Sequence, residues 1–520
     1  MAGVVLVGVL APGGVSCSRP PVDLLGGAYV QLLATATDEG PSVSDHVEVT
    51  VTLANAADVA ALRHWAAAHG LSVRRDPGES WAVVDGPARR LGDAFSVEVH
   101  DFRRAESVFY AARQAPAIPA QLRGVLSGVG HILSYSPLRE AVPPGVPRDV
   151  PGKSLSPEAI AMTYNVTPLR QRGFDGSGET IAVFSFGGVR QSDLDTFADR
   201  YHLPRFTPDV VAGPLPDKPS GETTMDLEIA HALAPGARTV VVNARPTAEG
   251  EGNTYVKIAD LMNRLNQEVP GAVWSLSIGW GCDKLVNDAD LAPVRSALAA
   301  AHLSGTTVFD ASGDLAGMDC RNGQEWTAAP SDDDVGLDSV ASLPDITDVG
   351  GTTLSTDASG RWLDERAWYS PVLTLGSGGG RSAVYSRPPW QMSALPVSKA
   401  PQRLTPDVSA VADSSTGLGI VLNGQPSTGG GTSQAAPLWA GMAAVMNQFL
   451  RDGGGRRLGD LNPLLYRIAD GARLPAFHDI TAGANAVGDA APGYDVVTGL
   501  GTPDVANLAK DVLDLQRSLR

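Results

Sequence analysis

Apolar and polar positions change their period several times along this 520-residue chain. Residues 46–53 alternate with a period of two, the pattern of a half-buried strand. Residues 57–69 then follow a helical period that ends at Gly70, and strand resumes over 71–75. Further strands are read at 80–84 and 95–100, with a helix-like stretch at 87–94 between them and a last helix at 119–129. That rhythm predicts a small α+β domain of the split-βαβ, ferredoxin-like kind over residues 46–135. Residues 136–155 carry prolines and charges with no apolar period, as an exposed linker does. From Ser156 to the end the chain alternates apolar runs with helices: 180–186, 239–242, 272–278, 306–310 and 347–349 read as strands. Such spacing predicts an α/β domain over 156–520, a doubly wound parallel sheet covered on both faces, with active residues at the carboxyl ends of its strands.

One helix in this second domain breaks the surface pattern. Residues 438–450 are apolar or small at almost every position, so the helix is expected to be buried. It is preceded by Gly429-Gly430-Gly431-Thr432-Ser433, and Pro437 is expected in its first turn, where a missing N–H costs little. A serine there lies beside free backbone N–H groups and the positive end of the helix dipole. Two readings fit: a Ser/Thr cap on a core helix, or a nucleophile approached by substrate backbone across three glycines.

Two acidic sites bear on that choice. Glu222 and Asp226 are four residues apart and share one helix face. They read either as a solvated acidic face or, because Met225, Leu227, Ile229, Ala230, Ala232 and Leu233 make the helix apolar nearly all round, as a buried coupled pair. His231 lies about 140° round that helix from Asp226 and cannot serve the same face. Asp314 follows an apolar strand in Asp310-Ala311-Ser312-Gly313-Asp314, where a turn-forming Gly-Asp is the plain alternative.

Composition narrows the classes. A net charge of −17 with no basic cluster argues against a nucleic-acid partner. No apolar run is long enough for a transmembrane helix. Residues 3–18 form a short apolar segment ending at Cys17, an export-signal candidate with a candidate lipid-acceptor cysteine, although no basic residue precedes it. Residues 1–45 are therefore set apart as an N-terminal segment, and the expected location is extracellular, with attachment to the cell envelope as the variant. Cys282 and Cys320 each follow one of two neighbouring strands, which predicts a disulfide at one edge of the sheet.

Gly-Thr-Ser-x-Ala-x-Pro at 431–437, together with the acidic helix at 221–237, resembles the sedolisins, the serine-carboxyl peptidases related to the subtilisin-like enzymes. None of the nine histidines sits in the His-Gly-Thr-His type of motif that a subtilisin uses. The resemblance spans about residues 45 to 510. Further phrases that carry it are 275–281, the glycine-rich loop at 376–382 with 387–391, and 403–410. It implies a subtilisin-like fold, Ser433 as nucleophile, Glu222 as general base, Asp226 as its orienting partner, and a protonated Asp314 donating to the oxyanion. Leu315 stands where the family usually has serine after that aspartate. The first domain resembles the kumamolisin-type propeptide, which implies a self-cleaving proenzyme inhibited by its own propeptide, a monomer acting on proteins and peptides in acid. Endopeptidase and tripeptidyl-peptidase action both remain open, and so does a catalytically inactive binding protein on the same scaffold. The phrases at 477–481 and 491–501 resemble the family's calcium site. They imply one Ca2+ held by the side chains of Asp479 and Asp495 and the carbonyls of Ile480, Ala491 and Gly493, a hard-oxygen set. In the kumamolisin branch a further glutamate extends the acid network, and Ser185 stands in its place here.

Overall fold

The computed structural model describes residues 27–104, 107–135, 154–250, 252–321, 331, 333–370, 375–395, 400–471 and 473–518. The export-signal candidate and nearly all of the expected linker fall outside these. Ser154 and Leu155, counted as linker, belong to the second domain. Leu155 is buried, accepts from the Gly419 amide and donates to the Gly417 carbonyl.

In the first domain, strands Val47–Leu53, Ser72–Arg74, Trp81–Gly86 and Leu126–Val129 form one antiparallel sheet. Numbered in chain order, the sheet runs second, third, first, fourth. Helices Val59–Ala68 and Ala88–Phe95 complete two βαβ units and cover an apolar core of Val47, Val49, Val51, Leu62, Trp65 and Phe95. Two expectations are corrected. Residues 119–129 hold a short 3-10 turn, Ala120–Leu122, and then the last strand, because Gly124 takes a φ of 84° and ends any helix. Phe95 closes a helix, and the strand that follows is Val99–Arg104. It lies between Thr37–Pro41 and Ser107–Ala112 in a separate three-stranded sheet, so part of the expected N-terminal segment is built into this domain.

The second domain is organised on an eight-stranded sheet. Its order is Trp362–Ala367, Thr347–Thr356, Thr307–Ala311, Val273–Leu276, Thr180–Ser185, Arg238–Asn243 and Asp209–Val211, with Val408–Val411 also paired to Thr347–Thr356. All pairings are parallel except that of Trp362–Ala367. The continuous apolar runs are explained by burial on both faces. From one strand, Ile181 and Val183 join the core around helices Gly221–Leu233 and Thr432–Asp452, whereas Ala182 and Phe184 join the core under Thr254–Glu268 and Asp288–Leu303. Cys282 and Cys320 form the expected disulfide, with Cα atoms 4.7 Å apart.

The first domain sits on the second across helix Asp288–Leu303. Asn287 donates to the Val129 carbonyl at 3.0 Å, Ser296 to Glu79 at 2.5 Å, and the Asn253 amide to Glu48 at 2.6 Å. His131 closes this seam: its amide donates to Asp290 at 2.8 Å and its Nδ1 stands 3.2 Å from the same carboxylate.

Candidate active site

Ser433 is buried in the first turn of Thr432–Asp452, a helix buried along nearly its whole length. It does not cap that helix. Gly431 occupies the cap with a φ of 80°, and a Cβ there would stand 2.6 Å from Asp314 Oδ2, so both conformation and space require glycine. Pro437 is correspondingly beyond the first turn, contrary to expectation. Its missing N–H is the one that would have paired with the Ser433 carbonyl four residues earlier. Ser277 Oγ donates to that carbonyl instead, at 3.2 Å.

Asp314 comes off the carboxyl end of Thr307–Ala311 and reaches the same helix end. Its Oδ1 accepts from the Thr432 amide at 2.7 Å and from the Thr432 hydroxyl at 2.8 Å, and that hydroxyl accepts from the Gly313 amide at 3.2 Å. A carboxyl at a helix N-terminus is favoured by the unpaired amides and the dipole. The turn is pinned on another side by Gln434, whose side chain donates to the Val411 carbonyl at 2.8 Å and accepts from the Leu418 amide at 3.0 Å.

The acidic helix, Gly221–Leu233, packs directly against the serine helix. Their backbones approach where Gly441 lies, since a Cβ there would stand 2.9 Å from both the Ala230 carbonyl and the Leu233 side chain. Glu222 is half-buried in its first turn, and Asp226 is fully buried one turn on. Burial holds the Asp226 carboxyl well above the usual carboxylate range, with the Ser277 hydroxyl pulling the other way. The solvated-face reading of this pair is therefore excluded for Asp226. Ser185 is engaged with Thr223, beside Glu222, through a hydroxyl–hydroxyl hydrogen bond, and accepts from the Gly187 amide at 3.1 Å. His231 is a core residue: its Nε2 donates to the Pro204 carbonyl at 2.7 Å, it stacks on Phe206, and burial lowers it to about 4. Its ring is thus committed to Pro204 and Phe206.

The structure thus brings Asp314 and Ser433 into one hydrogen-bonded neighbourhood through Thr432 and Ser277, while both oxygens of the buried Asp226 carboxyl have no hydrogen-bond partner among the described residues. Two members were missed in the sequence. Ser277 had a signal, because a proline four residues after the serine leaves a carbonyl that some other donor must satisfy. Glu228 is a third acid on the helix, buried, accepting from the Val421 amide at 2.7 Å, and pushed up to about 9 by burial. Nothing in its spacing set it apart from a surface glutamate.

Four of the five residues expected to hold calcium meet in pairs. Asp479 accepts from the Gly493 amide at 2.9 Å, and Asp495 from the Ala491 amide at 3.0 Å, which places both carboxylates on one loop. Ile480 is buried, and among the described residues no hydrogen bond reaches its carbonyl or those of Ala491 and Gly493. Two carboxylates beside unused carbonyls fit a hard cation.

Comparisons with known proteins decide the family. The Pro-kumamolisin activation domain profile matches residues 43–135. Kumamolisin of Bacillus sp. (strain MN-32) is 31% identical over 476 residues, covering 86% of this chain and 81% of kumamolisin. The chain belongs to the sedolisin family. Sedolisin of Pseudomonas sp. (strain 101) is 29% identical over 459 residues, covering 83% of this chain and 75% of that protein. The structure of Pseudomonas sedolisin, titled a serine-carboxyl proteinase complexed with two molecules of pseudo-iodotyrostatin, superposes with a TM-score of 0.58 at 26% identity, covering 69% of this chain and 97% of that one. The chain is therefore a serine-type peptidase, a sedolisin proenzyme carrying its activation domain.

Proposed function

We propose that this sedolisin cleaves peptide bonds in proteins through an acyl-enzyme on Ser433, with Glu222 as general base, Asp226 as its orienting partner and Asp314 as the oxyanion donor. The observation that carries the reading is the joint attachment of Asp314 and Ser433 to one helix end, against which the acidic helix packs. In acylation the Ser433 hydroxyl gives its proton to the Glu222 carboxylate while Oγ bonds to the carbonyl carbon. The negative charge moves to the carbonyl oxygen. Oδ1 of Asp314 already takes both Thr432 donors, so a protonated Asp314 carries its hydrogen on Oδ2, and that hydrogen faces the oxyanion. Collapse breaks the C–N bond and the leaving amine takes the proton from Glu222. Water then repeats the sequence on the ester and frees Ser433.

Work in acid fits a core that keeps carboxyls protonated. Secretion fits the disulfide, since such bonds persist in oxidising compartments. No helix among the described residues is long and apolar enough to cross a membrane. The enzyme is read as a monomer, inhibited in cis by its activation domain and released by self-cleavage. One calcium ion at Asp479, Ile480, Ala491, Gly493 and Asp495 would tie the 477–480 and 491–495 segments together, a structural part with no share in bond cleavage.

Ser433→Ala and Glu222→Gln each should lower turnover about 10⁴-fold or more, and the double variant should be no worse than either alone. Purified Ser433→Ala should also retain its activation domain. Turnover or complete self-processing by that variant overturns the assignment. Asp314→Ala should lose about 10²–10³ in turnover, and Asp314→Asn, which keeps a neutral donor, should lose less. Equal losses would remove Asp314 from the oxyanion site.

A further inference from the structure

The serine helix has a defect at the residue that matters most. An α-helical carbonyl is ordinarily satisfied by the amide four residues on, and for Ser433 that position is Pro437. A buried carbonyl left without a donor is destabilising and holds its residue less firmly. The neighbouring residues are secured otherwise: Thr432 by Asp314, and Gln434 by Val411 and Leu418. Ser433 itself depends on a group from another element.

We propose that Ser277 is a positioning residue for this peptidase, its hydroxyl replacing the absent Pro437 amide on the Ser433 carbonyl and tying the nucleophile's turn to the central sheet. This rests on the reading of Ser433 given above. Ser277 follows the carboxyl end of strand Val273–Leu276, which lies beside Thr180–Ser185 at the centre of the sheet, so its own backbone is rigidly placed. It is buried and donates to the Ser433 carbonyl at 3.2 Å. A hydroxyl has one hydrogen and two acceptor sites. With that hydrogen on the Ser433 carbonyl, the hydroxyl does for this carbonyl what the Pro437 amide cannot. The first turn of the serine helix is thereby fastened to the end of a central strand at the residue that carries Oγ. Ser277 holds the backbone of Ser433, and its effect is on placement.

The test is a double-mutant cycle on the full-length chain, converted to mature enzyme by trace wild type and assayed with a protein substrate. Ser277→Ala should lower kcat by up to about 10²-fold with KM little changed, the signature of a displaced nucleophile. Pro437→Ala restores an amide four residues after Ser433, so Ser277→Ala should cost only a few-fold in that background. A merely structural serine would not be rescued by a distant backbone amide. Ser277→Cys keeps the volume with a weaker donor and should fall between wild type and Ser277→Ala, which covers the case in which alanine does not fold. An unimpaired Ser277→Ala, or a loss equally large with and without Pro437, overturns the proposal. Ser433→Ala is run alongside: if it turns over substrate, the nucleophile assignment fails, whereas an inert Ser433→Ala with an unimpaired Ser277→Ala sinks the role of Ser277 alone.

Discussion

The core of the peptidase domain and the seam beneath the activation domain both depend on protons, and they use them in opposite ways. In the core, Asp226, Glu228, Asp310 and Asp348 are buried, and burial pushes each carboxyl up, so the proton makes the group neutral. At the seam, His131 meets Asp290, and the proton makes the group charged. Burial pulls His131 down, but the Asp290 carboxylate and the Leu285 carbonyl outweigh it and the net shift is upward. Both regions are consequently firmest in acid. The difference lies in what acidity supports: in the core it removes charges that burial makes costly, while at the seam it maintains an ion pair between two domains. A charge without a partner is far costlier to bury than a paired one, so the two regions should respond to rising pH with very different magnitudes.

Glu228 offers the largest effect. Its folded value of about 9 lies above that of an exposed glutamate. For an acid so shifted, stability is fully present below the ordinary glutamate range and is lost as pH rises through the folded value. Measured as unfolding free energy in the Ser433→Ala background, to prevent autolysis, the chain should lose stability between pH 5 and pH 9. Glu228→Gln keeps an acceptor for the Val421 amide and cannot ionise. It should spare on the order of 5 kcal/mol of that loss. Asp193, whose charge also bears on Glu228, remains in both proteins. An identical pH slope in the two chains would mean that Glu228 is already ionised in the fold.

The uneven legibility of the chain has the same physical origin. Ser433 and Asp314 stood out as candidates because each sits in a short phrase whose neighbours serve the same turn: Gly431 before the serine and Gly313 before the aspartate. The inner strands were readable because burial on both faces demands unbroken apolar runs. Residues 119–129 misled because Leu122, Val125, Leu126 and Val129 fall at helical spacing, while the deciding feature is a single glycine at positive φ. Strand Asp209–Val211 is three residues long and exposes Val210, so no period could show it. Ser277, Glu228 and His131 act through partners 156, 193 and 159 residues away in sequence, and only the fold brings those together.

A third way to hold acids in a fold, beside a proton or a histidine, is a metal ion, and the 479–495 loops test it. If Asp479 and Asp495 bind calcium only in the folded state, free ion at about a hundred times its dissociation constant adds about 3 kcal/mol. Chelator should lower the melting temperature of the wild type by that equivalent, and Asp495→Ala should abolish most of the response. A chelator effect that persists in the variant would place the ion elsewhere.

The smallest effect belongs to the seam and is read as domain affinity. His131 faces Asp290 on helix Asp288–Leu303, the ring of Tyr29 at 5.6 Å, and the Leu285 carbonyl. Because its folded value is raised, its contribution is fully present below the ordinary histidine range near 6.5 and is lost as pH rises through that raised value. His131→Gln keeps the backbone amide that donates to Asp290 and loses only the charged ring. A partly buried pair of this kind is worth about 1 kcal/mol, or roughly fivefold in affinity. Isolated activation domain added to mature enzyme should therefore inhibit about fivefold less tightly as the glutamine variant at pH 5.5, and the two should converge above pH 8. A difference that grows with pH would mean that the ring acts as a neutral acceptor, and the contrast between seam and core would then disappear.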